Sequence, residues 1–96
     1  MRISTFEKES IVNAITACDP EAKIWLFGSR ADDSKKGGDI DIGILSKKID
    51  FKKKLNINSS ICEKIGEQKI DLVVSETGDT AFFKYAVMEE GVILNG

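Results

Sequence analysis

Between Asp39 and Leu45 the chain reads Asp-Ile-Asp-Ile-Gly-Ile-Leu. A period of two puts Ile40, Ile42 and Ile44 on one face of a strand and Asp39, Asp41 and Gly43 on the other. The segment therefore predicts a strand with one buried face and one acidic face. Carboxylates two residues apart on a strand lie about 7 Å from each other. At that spacing they repel by roughly 2 kcal/mol at an effective dielectric of about 20. A protein tolerates this on a solvated face, or uses it to bind a divalent cation, since hard ions such as magnesium take one or two carboxylates plus phosphate oxygens.

The flanking sequence predicts the elements that surround this strand. Ser4-Thr5-Phe6-Glu7 has the form of a capping box, and Phe6, Ile11, Val12, Ala14 and Ile15 recur at roughly helical spacing, so a helix is expected from about Thr5 to Ala17, ended by Asp19-Pro20. Lys23 to Phe27 is a short apolar strand, cut off by Gly28-Ser29. Arg30 to Gly38 is polar and closes on the turn signal Gly37-Gly38. A second helix spans about Asp50 to Ile65, with Phe51, Leu55, Ile61 and Ile65 as its apolar positions, and Lys69 to Val74 reads as a third strand. Thr77-Gly78-Asp79 makes a turn, a helix follows from about Thr80 to Glu89 and is stopped by Gly91, and Val92-Ile93-Leu94 is an apolar tail or edge strand. The order α-β-β-α-β-α predicts an α+β fold, a small mixed β-sheet with helices packed on one face, in a single domain over residues 1–96.

Composition narrows the chemistry. The chain has 96 residues, 42% hydrophobic and 31% charged, as in an ordinary globular domain, and a formal net charge of −2 that gives no global reason to expect nucleic acid or anionic membrane as a partner. It has no histidine, which removes imidazole-dependent triads, histidine-based ribonuclease chemistry and most zinc hydrolase designs. Cys18 and Cys62 fit no zinc-ligand spacing and read as small buried thiols in a reducing compartment. With no apolar leader and no apolar run long enough to cross a bilayer, a cytoplasmic protein without membrane contact is expected. The Lys52-Lys53-Lys54 run has Asp50, Glu63 and Glu67 nearby and no interleaved aromatics, so it reads as a solvated helix face, and direct nucleic-acid binding is not expected.

Two further features bear on the acidic strand. Gly28-Ser29 follows an apolar strand, where backbone N–H groups and a hydroxyl can meet a phosphate, with Arg30 as an adjoining cation. Asp71, flanked by Ile70 and Leu72, opens the third strand, and completes a three-acid cluster if its carboxylate shares the face of Asp39 and Asp41. Such a cluster suits two-metal nucleotidyl transfer. Taken singly, each feature has a plain alternative: a turn, a solvated strand face, a polar strand end.

Apolar strand, Gly28-Ser29, nine residues, Asp39-Ile40-Asp41 and then Asp71 in a further strand: the whole resembles the nucleotidyltransferase superfamily that includes polymerase beta. Leu26-Phe27-Gly28-Ser29-Arg30-Ala31 and Glu89-Glu90-Gly91-Val92-Ile93-Leu94 are similar to its smallest branch, the minimal nucleotidyltransferases, and the resemblance covers nearly the whole chain. It implies a palm-like fold, a triphosphate held by Gly28 and Ser29 with Arg30 as a further contact, and two magnesium ions. Asp39, Asp41 and Asp71 would be the catalytic and metal-binding residues, with ATP as substrate. It also implies a partner, a small helical HEPN-type toxin encoded nearby, to one of whose hydroxyls AMP is added, so that this chain acts as antitoxin. Asp32 and Asp33 depart from the branch by placing negative charge beside the phosphate site, with Lys35 and Lys36 available to offset it. They give some weight to a second reading, a catalytically weak or inactive domain that neutralises or presents its partner by docking. Phe82, Phe83, Tyr85, Val87 and Met88 could give the last helix a docking face, but core packing is the better account of most of them. Whether the chain forms a homo-oligomer is left open by the sequence.

Overall fold

The computed structural model describes residues 1–34, 38–66 and 68–95. The expectations attached to Lys35, Lys36, Gly37 and Glu67 fall outside those residues. Helix α1 (Thr5–Cys18) begins on the expected capping box, with the Glu7 N–H donating to Ser4 Oγ at 3.0 Å and the Ser4 N–H to Glu7 Oε1 at 2.8 Å. Strand β1 (Lys23–Phe27) leads into one 3-10 turn (Gly28–Ala31), followed by β2 (Ile40–Leu45), α2 (Phe51–Ile65) and β3 (Ile70–Ser75). The chain closes with the helical segment α3 (Phe82–Glu89) and the short edge strand β4 (Val92–Ile93). Asp50 caps α2 by accepting the Lys53 N–H at 2.8 Å. Among the described residues no helix is long and apolar enough to cross a membrane.

The four strands form one mixed sheet in the order β3-β2-β1-β4. β1 is antiparallel to both β2 and β4, and β2 runs parallel to β3. On one face Ile24, Leu26, Ile40, Ile42, Ile44, Ile70 and Leu72 pack against Ile11 and Ile15 of α1 and Ile57 and Ile61 of α2. Each of these buried aliphatic side chains contributes about 2 kcal/mol relative to exposure, so this layer carries most of the stability.

The other face is where expectation and structure part. Trp25, Phe27, Phe83 and Val87 form a second buried cluster, with Trp25 edge-on to Phe83 at 5.9 Å. The two long helices share one face as expected, whereas α3 lies across the acidic one. Gly43 makes this possible, because a Cβ there would overlap Val87 Cγ1. It belongs to a docking slot as much as to an acidic stripe. The segment α3 is also wound wider than an α-helix, the Glu90 N–H reaching back five residues to Tyr85 O at 3.0 Å.

Three apolar positions expected on buried helix faces are exposed: Phe6, Phe51 and Leu55. The reason is phase. Leu55 and Ile61 are six residues apart, and six steps of a helix turn about 240° beyond a full circle, so they point about 120° apart and not along one line. The buried line of α2 runs through Ile57 and Ile61, and Phe51 is left with Lys54 Nζ over its ring at 5.9 Å. Both cysteines are free and half-buried. The lysine run is mostly solvated, Lys53 donating to Lys48 O at 3.0 Å.

Candidate nucleotide and metal site

Strand register decides where the acids fall. In the parallel pair, Asp41 stands opposite Asp71, and in the antiparallel pair Asp41 stands opposite Phe27. Residues opposed across a ladder share a face, so the carboxylates of Asp41 and Asp71 project from the same side of the sheet. Alternation brings Asp39 to that side as well. It lies just before β2, and Lys69, two residues before Asp71, reaches its Oδ2 at 3.5 Å.

Because β1 ends at Phe27, the turn that follows is delivered to the acids. Gly28 has φ +73°, the left-handed region that disfavours a side chain, and a Cβ there would come within 2.5 Å of Asp41 Oδ2. Glycine is required here both by backbone angle and by the carboxylate against it. Partial burial, and next the charges of Asp71 and Asp39, push the Asp41 carboxyl above its ordinary range, with Lys69 pulling the other way. A partly buried acid among acids is short of positive charge.

The donor set is therefore oxygen only, negative, and open on one side. Among the described residues, no three Asp, Glu, Cys or His side chains are gathered closely enough to cage a metal ion by themselves. Magnesium seldom has an all-protein cage; it is bound through one or two carboxylates and completed by water and substrate phosphate. The residues fit such an ion on the chemistry of the donors and on the unbalanced charge at Asp41.

Beside the turn lies a cleft of about 440 Å³, bounded by Gly28, Ser29 and Ala31 on one side and by Ala86 and Glu90 on the other. Asp32 and Asp33 line it as well. Asp32 Oδ1 accepts from both the N–H and the hydroxyl of Ser34, at 2.9 and 2.6 Å, and Asp33 meets the N-terminal amine. Two other clefts, one past the far end of β2 and one between α1 and α2, do not include the glycine turn, and Asp39, Asp41 and Asp71 line none of the three.

Arg30, expected as a further phosphate contact, has two of its guanidinium nitrogens on protein carbonyls. Its Nε donates to Gly38 O and its Nη1 to Arg2 O, both at 3.1 Å. Adjacency to Gly-Ser suggested a ligand contact, while the carbonyls that engage the guanidinium belong to residues distant in sequence. Sequence reasoning also passed over Arg2, Lys69, Ala86 and Glu90. For Lys69 a signal existed: it stands two residues before Asp71 as Asp39 stands two before Asp41.

The family described as "Polymerase beta, Nucleotidyltransferase" matches the chain over residues 9–96, a stretch that takes in all four strands, the glycine turn and the three acids. No curated protein matches the chain. Fold, register and family match converge on one assignment: the chain belongs to the polymerase-beta nucleotidyltransferase family.

Proposed function

We propose that this nucleotidyltransferase domain is a magnesium-dependent enzyme that transfers AMP from ATP to a hydroxyl of a partner protein, a small helical HEPN-type toxin that it silences. One observation carries the reading: Asp41 lies opposite Asp71, with Gly28 closed down on its carboxylate. That juxtaposition sets a turn suited to phosphate against a pair of acids suited to a hard cation. Gly28 and Ser29 bind the triphosphate, the glycine giving the ligand close access to the main chain. Asp39 and Asp41 would ligate magnesium, and Asp71 would hold the second ion. Bound there, magnesium would neutralise charge on the triphosphate and on the leaving pyrophosphate. Asp71 takes the proton of the attacking hydroxyl as its oxygen bonds to the alpha phosphorus and the bond to pyrophosphate breaks. Positioning and electrostatics do the rest, with no covalent enzyme intermediate.

The partner half of the reading draws support from α3. Phe82, Tyr85 and Met88 remain 52%, 60% and 38% exposed on the helix that also lends Ala86 and Glu90 to the cleft, apolar surface that a helical protein would cover. The second reading, docking without turnover, is favoured by Asp32, Asp33 and Glu90, whose carboxylates line the cleft that a triphosphate would enter.

Incubation with labelled ATP, magnesium and the neighbouring gene product separates the two. Label appearing in the partner supports transfer, and a tight complex that stays unlabelled supports docking alone. Protection of the fold by ATP only when magnesium is present, lost in the Asp39→Asn/Asp41→Asn double variant, tests the site itself. Undiminished Mg-ATP binding by that variant would overturn the assignment.

A further inference from the structure

The glycine turn is held in place by two arginines, and one of them, Arg2, lies ahead of the stretch that the family matches. A single 3-10 turn has almost no ladder of its own, and the carbonyls at its end need donors from elsewhere. Arg2 supplies them. Its backbone N–H donates to Arg30 O at 2.7 Å, its Nη2 to Ser29 O at 2.7 Å and its Nε to Asp32 O at 3.3 Å. Arg30 reciprocates, giving Nη1 to Arg2 O and Nε to Gly38 O. A planar guanidinium bridges two carbonyls at fixed spacing, as an ammonium does not, and a cation at the carbonyl end of a helical turn complements its dipole.

This arrangement ties three distant pieces of chain together: residue 2, the turn, and the residue that precedes Asp39. It also sets direction. In a trans peptide the C=O and the following N–H point opposite ways. Fixing the carbonyls of Ser29 and Arg30 on Arg2 therefore turns the N–H groups of Arg30 and Ala31 away from it. On the same turn, Ser29 Oγ rests against Gly38 in the space a Cβ would take, so hydroxyl and acid strand are kept in register.

We propose that Arg2 is a positioning residue for the nucleotide, holding the Gly28–Ala31 turn at the distance from Asp39 and Asp41 at which triphosphate and acids are engaged together. The proposal rests on the nucleotidyltransferase reading of the cleft. Mg-ATP affinity, measured by calorimetry on the full chain, tests it in Arg2→Ala, in Arg2→Lys and in Ile57→Val, a core change on α2 far from the turn. Arg2→Ala is expected to weaken binding about tenfold, because small displacements of positioning groups are costly. Arg2→Lys, which keeps the charge and loses the fork, is expected to recover less than half of that loss, and Ile57→Val to leave affinity unchanged. Faster amide exchange at Asp32, whose N–H bonds to Ser29 O at 3.2 Å, should accompany the Arg2 changes. If Arg2→Ala does not fold, Arg2→Lys carries the test: weaker binding at an unchanged melting temperature supports the proposal. Wild-type affinity in the Arg2 variants, or an equal loss in Ile57→Val, overturns it while leaving the nucleotide reading intact. Absence of Mg-ATP binding by the wild type overturns the nucleotide reading and the positioning role with it.

Discussion

Asp41 at one end of β2 and Asp19, bonded to Ser46 just past the other end, are both drawn out of water, yet their carboxyls shift in opposite directions. Asp19 is buried and well supplied with donors: the Ser46 hydroxyl at 2.5 Å and the Glu21 N–H at 3.0 Å, with Lys48 and Lys53 nearby. Its carboxyl is held below the ordinary range, by the Ser46 bond first. Ser46 is engaged in turn, its N–H on Ser75 O and its Oγ accepting from the Lys48 N–H. That end of the sheet is a closed polar knot that needs no ligand. Asp41 is less buried, and its charged neighbours are mainly acids. Burial alone does not mark a binding site; a carboxylate whose surroundings leave its charge uncompensated does.

The sharpest way to break this contrast is to neutralise each acid in turn. Asp41→Asn is expected to weaken Mg-ATP binding by about a hundredfold or more, the scale of losing a group aimed at the reacting charges. The melting temperature of the ligand-free protein should hold or rise, because a repulsion has been removed. Asp19→Asn should do the reverse, lowering the melting temperature and leaving Mg-ATP affinity as it was. Calorimetry and thermal melts on the two variants decide the matter. Equal loss of stability in both would show that the acid cluster is structural after all.

A second comparison concerns what covers the acidic face. Gly43→Ala pushes a methyl into Val87, and is expected to cost about 1–3 kcal/mol, the usual range for overpacking a filled contact. Val87→Ala added to it should recover part of that loss, since the two atoms compete for one space. Urea unfolding of both single variants and the double variant gives the coupling. Strict additivity would mean that α3 does not rest on Gly43.

Much of this was legible in the residues, and the failures have common causes. The limits of β1, the Ser4–Glu7 capping box and the acidic alternation of β2 are local, set by neighbouring residues and the backbone's own periodicity. That Asp41 would stand opposite Asp71, and not one residue to either side, depends on a register between strands separated by a whole helix; the sequence could only state it as a condition. Gly43 looked like a member of the acidic stripe because a missing side chain carries no sign of what fills the gap. Arg30 was read only as a phosphate contact because adjacency to Gly28-Ser29 says nothing of the carbonyls of Arg2 and Gly38 that also engage it. Phe51 and Leu55 were misplaced because residues at spacing four belong to one face only while the phase is kept.

The smaller effects sharpen the opening contrast through pH. Ser46→Ala removes the first cause of the depressed Asp19 carboxyl and is expected to cost about 1–2 kcal/mol at neutral pH, as for a hydrogen bond to a charged acceptor. A folded-state value below the ordinary 3.8 gives stability that is fully present above that value and lost as pH falls through the folded-state value. Glu7 behaves alike: its carboxyl is lowered chiefly by the Ser4 N–H, against its own ordinary 4.5. Asp41 has the opposite sign. Raised in the folded protein, it takes up a proton there before it does so in the unfolded chain, so its contribution becomes more favourable as pH falls toward 3.8. Urea midpoints across acid pH should therefore show wild type and Ser46→Ala well separated near neutrality and drawing together as pH falls through the lowered folded-state value of Asp19. Asp41→Asn should differ from wild type mainly at the neutral end, and in the stabilising direction. A Ser46→Ala deficit that stays constant down to the lowest pH would mean that the serine bonds a neutral partner, and the closed knot at that end would lose the charge on which its contrast with the acid site depends.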